Sequence, residues 1–94
     1  MNAVIYVREN GDIPIYEQYN RCVGYSKRYG YSISGKVLDY EGKNFHEAVN
    51  KVIAEHNICA LIVYSKETAF DNYNDYLFYR IYIEKLGKKL ILSR

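Results

Sequence analysis

Ala3-Val4-Ile5-Tyr6-Val7-Arg8 opens the chain with a short apolar run, rich in β-branched residues, that stops on a charge. Neither alternate face of the run is polar, so it reads as a strand buried on both sides, the kind that parallel sheets contain. The same signature returns at Ala60-Leu61-Ile62-Val63-Tyr64 and, shorter, at Leu90-Ile91-Leu92, while Tyr31 to Asp39 supplies a further strand centred on Val37-Leu38. Between these runs the apolar period changes from strand to helix. Asp12 is expected to cap a first helix with Pro14 in its first turn; Ile15, Tyr19, Cys22, Val23 and Tyr29 recur at helical spacing, and Gly30 ends it. Asn44 and Glu47 resemble a capping box ahead of the stripe Phe45, Ala48, Val49, Val52, Ile53. Asn72 with Asp75 is expected to cap a third helix running to Gly87. The order β-α-β-α-β-α-β, with connections too long for hairpins, predicts one α/β domain over residues 1–94. It would be a three-layer, mainly parallel four-stranded sheet in the order 2-1-3-4, with helices on both faces, as in flavodoxin-like folds.

Composition narrows the function classes. Apolar residues make up 49% of the chain, enough for one core, and a net charge of +2 does not by itself announce a nucleic-acid binder. No apolar run approaches the roughly 18 residues of a membrane span, and Met1 to Arg8 lacks the basic-then-apolar order of a signal peptide. Cys22 and Cys59 are far apart and without metal-ligand spacing, so reduced thiols in a cytoplasmic protein are expected.

Ligands of open parallel sheets gather at the carboxyl ends of the strands. Those ends carry Arg8-Glu9-Asn10-Gly11, Asp39-Tyr40-Glu41-Gly42 and Ser65-Lys66-Glu67-Thr68. Ile5-Tyr6-Val7-Arg8 resembles the opening strand of the serine recombinases (the resolvase/invertase family), whose Tyr-x-Arg is followed two residues later by the nucleophilic serine. The similarity continues through Glu17-Gln18, Cys22, Tyr29-Gly30-Tyr31, Val37 to Asp39, Leu61 to Tyr64, and Leu86-Gly87 with Leu90-Ile91. The resemblance implies a resolvase-like catalytic fold and a phage or mobile-element origin.

The departures from that family carry the functional expectation. Asn10 stands at the nucleophile position, and an amide cannot form a phosphoserine-type link to DNA. Where the family has Asp-Arg-Leu-x-Arg, this chain reads Glu67-Thr68-Ala69-Phe70-Asp71, without the arginines that would grip the scissile phosphate. Arg8 and Lys43 are the remaining candidate phosphate contacts, and Arg8 has Glu9, Glu67 and Asp71 as potential ion-pair partners. The family also continues into a further strand, a dimerising helix and a DNA-binding module, whereas this sequence stops at its fourth strand.

Other candidates read as structural. Ser65 is a turn serine with no base spaced to activate it; His46 and His56 do not converge on a metal; Glu9 and Glu67 are a poor substitute for the Asp pair of an acidic phosphate site. Lys85, Lys88, Lys89 and Arg94 form a solvated basic cluster. In the third helix Tyr76, Tyr79, Ile83 and Leu86 make a core-facing set. Tyr73, Leu77 and Ile81 lie on a second flank and Phe78 with Tyr82 further round, which points to self-association or a protein partner. The expected function is a catalytically inactive recombinase-like interaction or regulatory module, with no metal or cofactor, weak or no DNA binding and no membrane contact. A small DNA-binding, recombinase-associated subunit is the alternative. A small-molecule binder on a flavodoxin-like scaffold follows it, weakened because no Gly-rich phosphate loop succeeds the first strand.

Overall fold

The computed structural model describes residues 1–94. β1 (Asn2–Arg8) lies inside the sheet, parallel to β2 (Ser32–Asp39) on one side and to β3 (Ile58–Val63) on the other; β4 (Lys89–Leu92) pairs with the outer side of β3. The strand order is β2-β1-β3-β4, as the sequence predicts. The two central strands are the ones with unbroken apolar runs, and Ala3 to Val7 and Ala60 to Val63 are all buried.

Handedness then assigns the helices to faces. The crossover from β1 to β2 runs one way along the sheet, and those from β2 to β3 and from β3 to β4 run the other way. With every crossover right-handed, the first helix must sit on one face and the later helices on the opposite one. The two cores follow this division. α1 (Ile15–Tyr29) packs over a smaller cluster of 8 buried residues that includes Ala3, Ile5, Val7 and Cys22. α2 (Phe45–Ala54), the single turn α3 (Lys66–Ala69) and α4 (Tyr73–Lys85) close a larger cluster of 14 built on Val4, Tyr6, Leu61 and Val63.

Several local expectations are corrected. Asp12 does not cap α1; Pro14 is itself the residue before the helix, and the Oδ1 of Asn10 receives the backbone N–H groups of Asp12 and Ile13, each at 3.1 Å. The buried line of α1 is Ile15, Gln18, Cys22 and Ser26, with Tyr19 and Val23 at its margin and Tyr29 exposed. Two of those four are polar and hidden from an apolar count: Ser26 returns its hydroxyl to the carbonyl of Cys22. The Asn44 side chain makes no cap: the residue's backbone N–H goes to the carboxylate of Asp39, and its backbone carbonyl receives the N–H of Glu47. The stripe of α2 is as predicted, except that Ile53 is exposed at its edge. Asn72 caps α4 as expected, receiving the N–H of Asp75 at 2.9 Å.

The basic cluster is dispersed. Lys88 Nζ donates to the carbonyls of Val52 (2.6 Å) and Glu55 (2.9 Å), capping the end of α2. Lys89 begins β4 and Arg94 lies beyond its end, roughly 17 Å away at the rise of an extended chain. On α4, Leu86 has left the buried face because the helix stops before it, and Leu77 packs against the core instead of joining the outer flank.

Candidate functional site

The carboxyl end of β1 meets that of β2 in a polar network assembled around a buried carboxylate. Asp39 has no solvent exposure, yet it has four donors. Its Oδ1 receives the N–H groups of Gly42 (2.8 Å) and Lys43 (3.2 Å); its Oδ2 receives the N–H of Asn44 (2.8 Å) and the hydroxyl of Tyr6 (2.5 Å). Such a turn closes tightly only with a left-handed residue, and Gly42 supplies it at φ 74°. Tyr6 reaches Asp39 from the larger core, its ring set edge-on against Phe45. The Tyr6 oxygen also accepts from Arg8 Nε at 2.9 Å, and Arg8 Nη1 donates to Asp71 Oδ1 at 2.8 Å. The charges therefore run in a line from Asp71 at the surface, through Arg8 and Tyr6, to Asp39 inside.

Burial, hydrogen bonds and charges oppose one another in this line. Burial would raise the carboxyl of Asp39, but the Tyr6 hydroxyl and the three backbone N–H groups outweigh it and hold the group below its ordinary value. Burial pushes the Tyr6 phenol far up, and the neighbouring Asp39 carboxylate adds to that, so the hydroxyl stays protonated as a donor. Burial disfavours the guanidinium of Arg8, yet Tyr6 and Asp71 more than offset it and the net shift is upward. The Arg8 backbone is pinned as well: Gln18 accepts its N–H at 3.3 Å and donates to the carbonyls of Arg8 (2.7 Å) and Ile13 (3.0 Å).

Of the three acids that the sequence offers to Arg8, Asp71 is the one used. Arg8 is only 12% exposed on its side chain while Asp71 is 76% exposed, so the pair closes over the arginine from outside. Asn10 is exposed and holds its own turn. Glu9 folds back on the N–H of Gly11, and Glu67 points outward from α3. Thr68 is buried in a reciprocal cap with Ser65: the Ser65 Oγ receives the Thr68 N–H at 3.1 Å, and the Thr68 Oγ1 receives the Ser65 N–H at 3.3 Å. That assigns Ser65 to turn formation and explains the turn α3, which the sequence reading passed over. Lys43 contributes its backbone to the network and leaves its side chain exposed.

The structure brings together Arg8 and Asp71, while the side chains of Asn10, Glu67 and Lys43 are exposed and make no bond to the network. Asp39 stands in the sequence as the acid that closes the second strand at a ligand-gathering end, and Gln18 only within the family resemblance; neither reading marks them as the residues that hold the corner. No group of three or more His, Cys, Asp or Glu side chains is placed to hold a metal ion. Both cysteines are free, and burial pushes the Cys22 thiol up to about 11, which keeps it neutral and unreactive. No helix is long and apolar enough to cross a membrane.

A right-handed, parallel 2-1-3-4 sheet with a Tyr-x-Arg corner at the end of its first strand defines a resolvase-like α/β domain. Solved structures agree. The chain superposes on the N-terminal catalytic domain of TP901-1 integrase with a TM-score of 0.78 and 18% identity, over 99% of this chain and 77% of that one. On the C-terminal catalytic domain of ISC1926 TnpA, an IS607-like serine recombinase, it superposes with a TM-score of 0.76 and 19% identity, over 100% and 70%. The corresponding domain of IS1535 TnpA gives 0.67 and 9% over 97% and 70%. No family model and no curated protein matches the sequence. The chain thus has the fold of serine recombinase catalytic domains.

Proposed function

We propose that this domain is a catalytically inactive recombinase-fold module that acts in the cytoplasm by binding protein, as a regulator of an active recombinase or another mobile-element protein. The observation that carries the reading is the pairing of Arg8 with Asp71. The cation that would face a phosphate is already neutralised at 2.8 Å by an acid standing where the resembled family places an arginine. Asn10 supports the reading, since its side chain is engaged in the turn and carries no nucleophile.

The binding surface is the outer side of α4. Tyr73, Phe78, Ile81 and Tyr82 are all exposed there, and the Phe78 and Tyr82 rings lie parallel, 6.3 Å apart. Leu77, on the inner margin, supports this surface from the core side.

The test is a covalent-adduct assay on supercoiled and duplex DNA, resolved on a denaturing gel. Neither the wild-type domain nor Asn10→Ser is expected to form an adduct, because a serine without charge-stabilising arginines lacks the groups that lower the barrier to phosphoryl transfer. A protein–DNA adduct from either form would overturn the proposal.

A further inference from the structure

α1 alone serves one face of a four-stranded sheet. A helix is about 10 Å across, whereas the outer strands of such a sheet are roughly 14 Å apart, so one helix cannot cover all four. α1 lies over β1, β2 and part of β3, and beside it the same face of β4 is only partly covered, its Ile91 half-buried against the α1-side core. The result is a cleft of about 550 Å³ between the outer flank of α1 and the carboxyl ends of β3 and β4.

Its lining is distinctive. Arg21 and Arg28 project from α1 and Arg94 from the segment after β4; Tyr25, Tyr29 and Tyr64 lie between them, and no acidic residue borders the cleft. None of the three arginines is ion-paired, since the molecule's two ion pairs are Arg8–Asp71 and Arg80–Glu84. Arg28 stands in the last turn of α1, where a cation stabilises the helix end, but that benefit does not extend to Arg21 in mid-helix or to Arg94. Gly24 gives a second, independent sign. It sits within α1, where glycine weakens a helix relative to alanine, and a Cβ there would meet nothing within 4 Å. No neighbour in this chain requires it to be small. Its missing side chain leaves the wall of the cleft recessed.

We infer that this cleft binds a nucleotide phosphate, either of a free nucleotide or of a single strand, with the arginines on the phosphate and the base against Tyr29. Guanidinium forks match phosphate oxygens and stay charged at every physiological pH. The volume lies in the range of small-ligand sites and exceeds what a bare phosphate needs. Tyr29 is 53% exposed, with Tyr25 beside its ring at 4.4 Å between centroids and the Arg28 guanidinium over it at 6.0 Å, so a base stacks there as Arg28 turns to the phosphate. The inference is independent of the reading given to the Arg8 corner.

Fluorescence anisotropy of a labelled short oligothymidylate tests it, with thymidine 5′-monophosphate as competitor. The wild-type domain binds, and its affinity falls roughly 2.5-fold between about 50 and 200 mM salt for each strand phosphate that the arginines neutralise. Arg21→Glu with Arg28→Glu weakens binding by about tenfold or more, while Lys85→Glu with Lys89→Glu, the same charge change elsewhere, alters it by less than about twofold. Gly24→Leu fills the recess, reducing affinity without lowering the melting temperature, which separates cleft occupancy from loss of fold. Competition by the monophosphate identifies a free-nucleotide site and its absence a strand path; both support the inference. No binding at low salt, or equal weakening by the two charge reversals, overturns it.

Discussion

The domain holds its arginines in two opposite ways. Arg8 is nearly enclosed, bonded to Tyr6 and Asp71, and its charge is accounted for within the molecule. Arg21, Arg28 and Arg94 border an open cleft that no acidic side chain lines. The residue that resembles a catalytic cation is thus the one least available to a ligand, and those that no motif marks are the most available. Net charge, at +2, reports neither fact. What a cation can do follows from its pairing rather than from its place in a motif.

The sharpest way to break the contrast is at its buried end. Asp39→Asn removes one acceptor and puts an amide N–H where two donors converge, so the variant is expected to lose about 3 kcal/mol at neutral pH. The native carboxyl of Asp39 is held below its unfolded value. Its contribution is therefore present above the ordinary aspartate range and lost as pH falls through the depressed native value. Urea unfolding of both proteins at about pH 7 and pH 3 should show the gap between them narrowing in acid. A gap of constant size would mean that the network does not rest on charge.

A smaller effect is expected at the exposed end. Asp71→Ala should cost less than about 1 kcal/mol, because the carboxylate is solvated. Its value is as a probe of availability. Inorganic phosphate should then shift the Arg8 side-chain N–H resonance in the variant and leave it unmoved in the wild type; identical titrations would show that Asp71 does not occupy Arg8. The least disturbance to stability is expected from Phe78→Glu with Tyr82→Glu, within about 0.5 kcal/mol because both rings are exposed. Light scattering on that variant should report a shift toward monomer, or loss of a captured recombinase partner. An already monomeric wild type that captures no such partner would remove the α4 surface from the proposed function.

The sheet was legible because its central strands are apolar on both sides, a pattern that survives any reading of the loops. The stripe of α2 and the Asn72 cap were legible for the same local reason. Helix starts were less so: several polar residues stand near each one, and periodicity does not say which wins. Asp39 captures the start of α2 from five residues upstream, and Asn10 does for its loop what Asp12 was expected to do for α1. The Tyr6-x-Arg8 corner could be read from its spacing, but its pairing with Asp71 bridges 63 positions. Lys88 and Arg94 look like neighbours in the sequence and serve different ends of the sheet. No linear pattern could have joined Arg21 to Arg94, because what joins them is a face that α1 covers only in part.

That partly covered face also constrains how a domain of this kind could grow. A fifth strand added outside β4 by another right-handed crossover would carry its helix to the side already occupied by α2 and α4. Accretion at the edge would thus thicken the crowded side and lengthen the sparser one, so the cleft beside α1 would persist through enlargement. Only a segment doubling back toward β1 could roof it over.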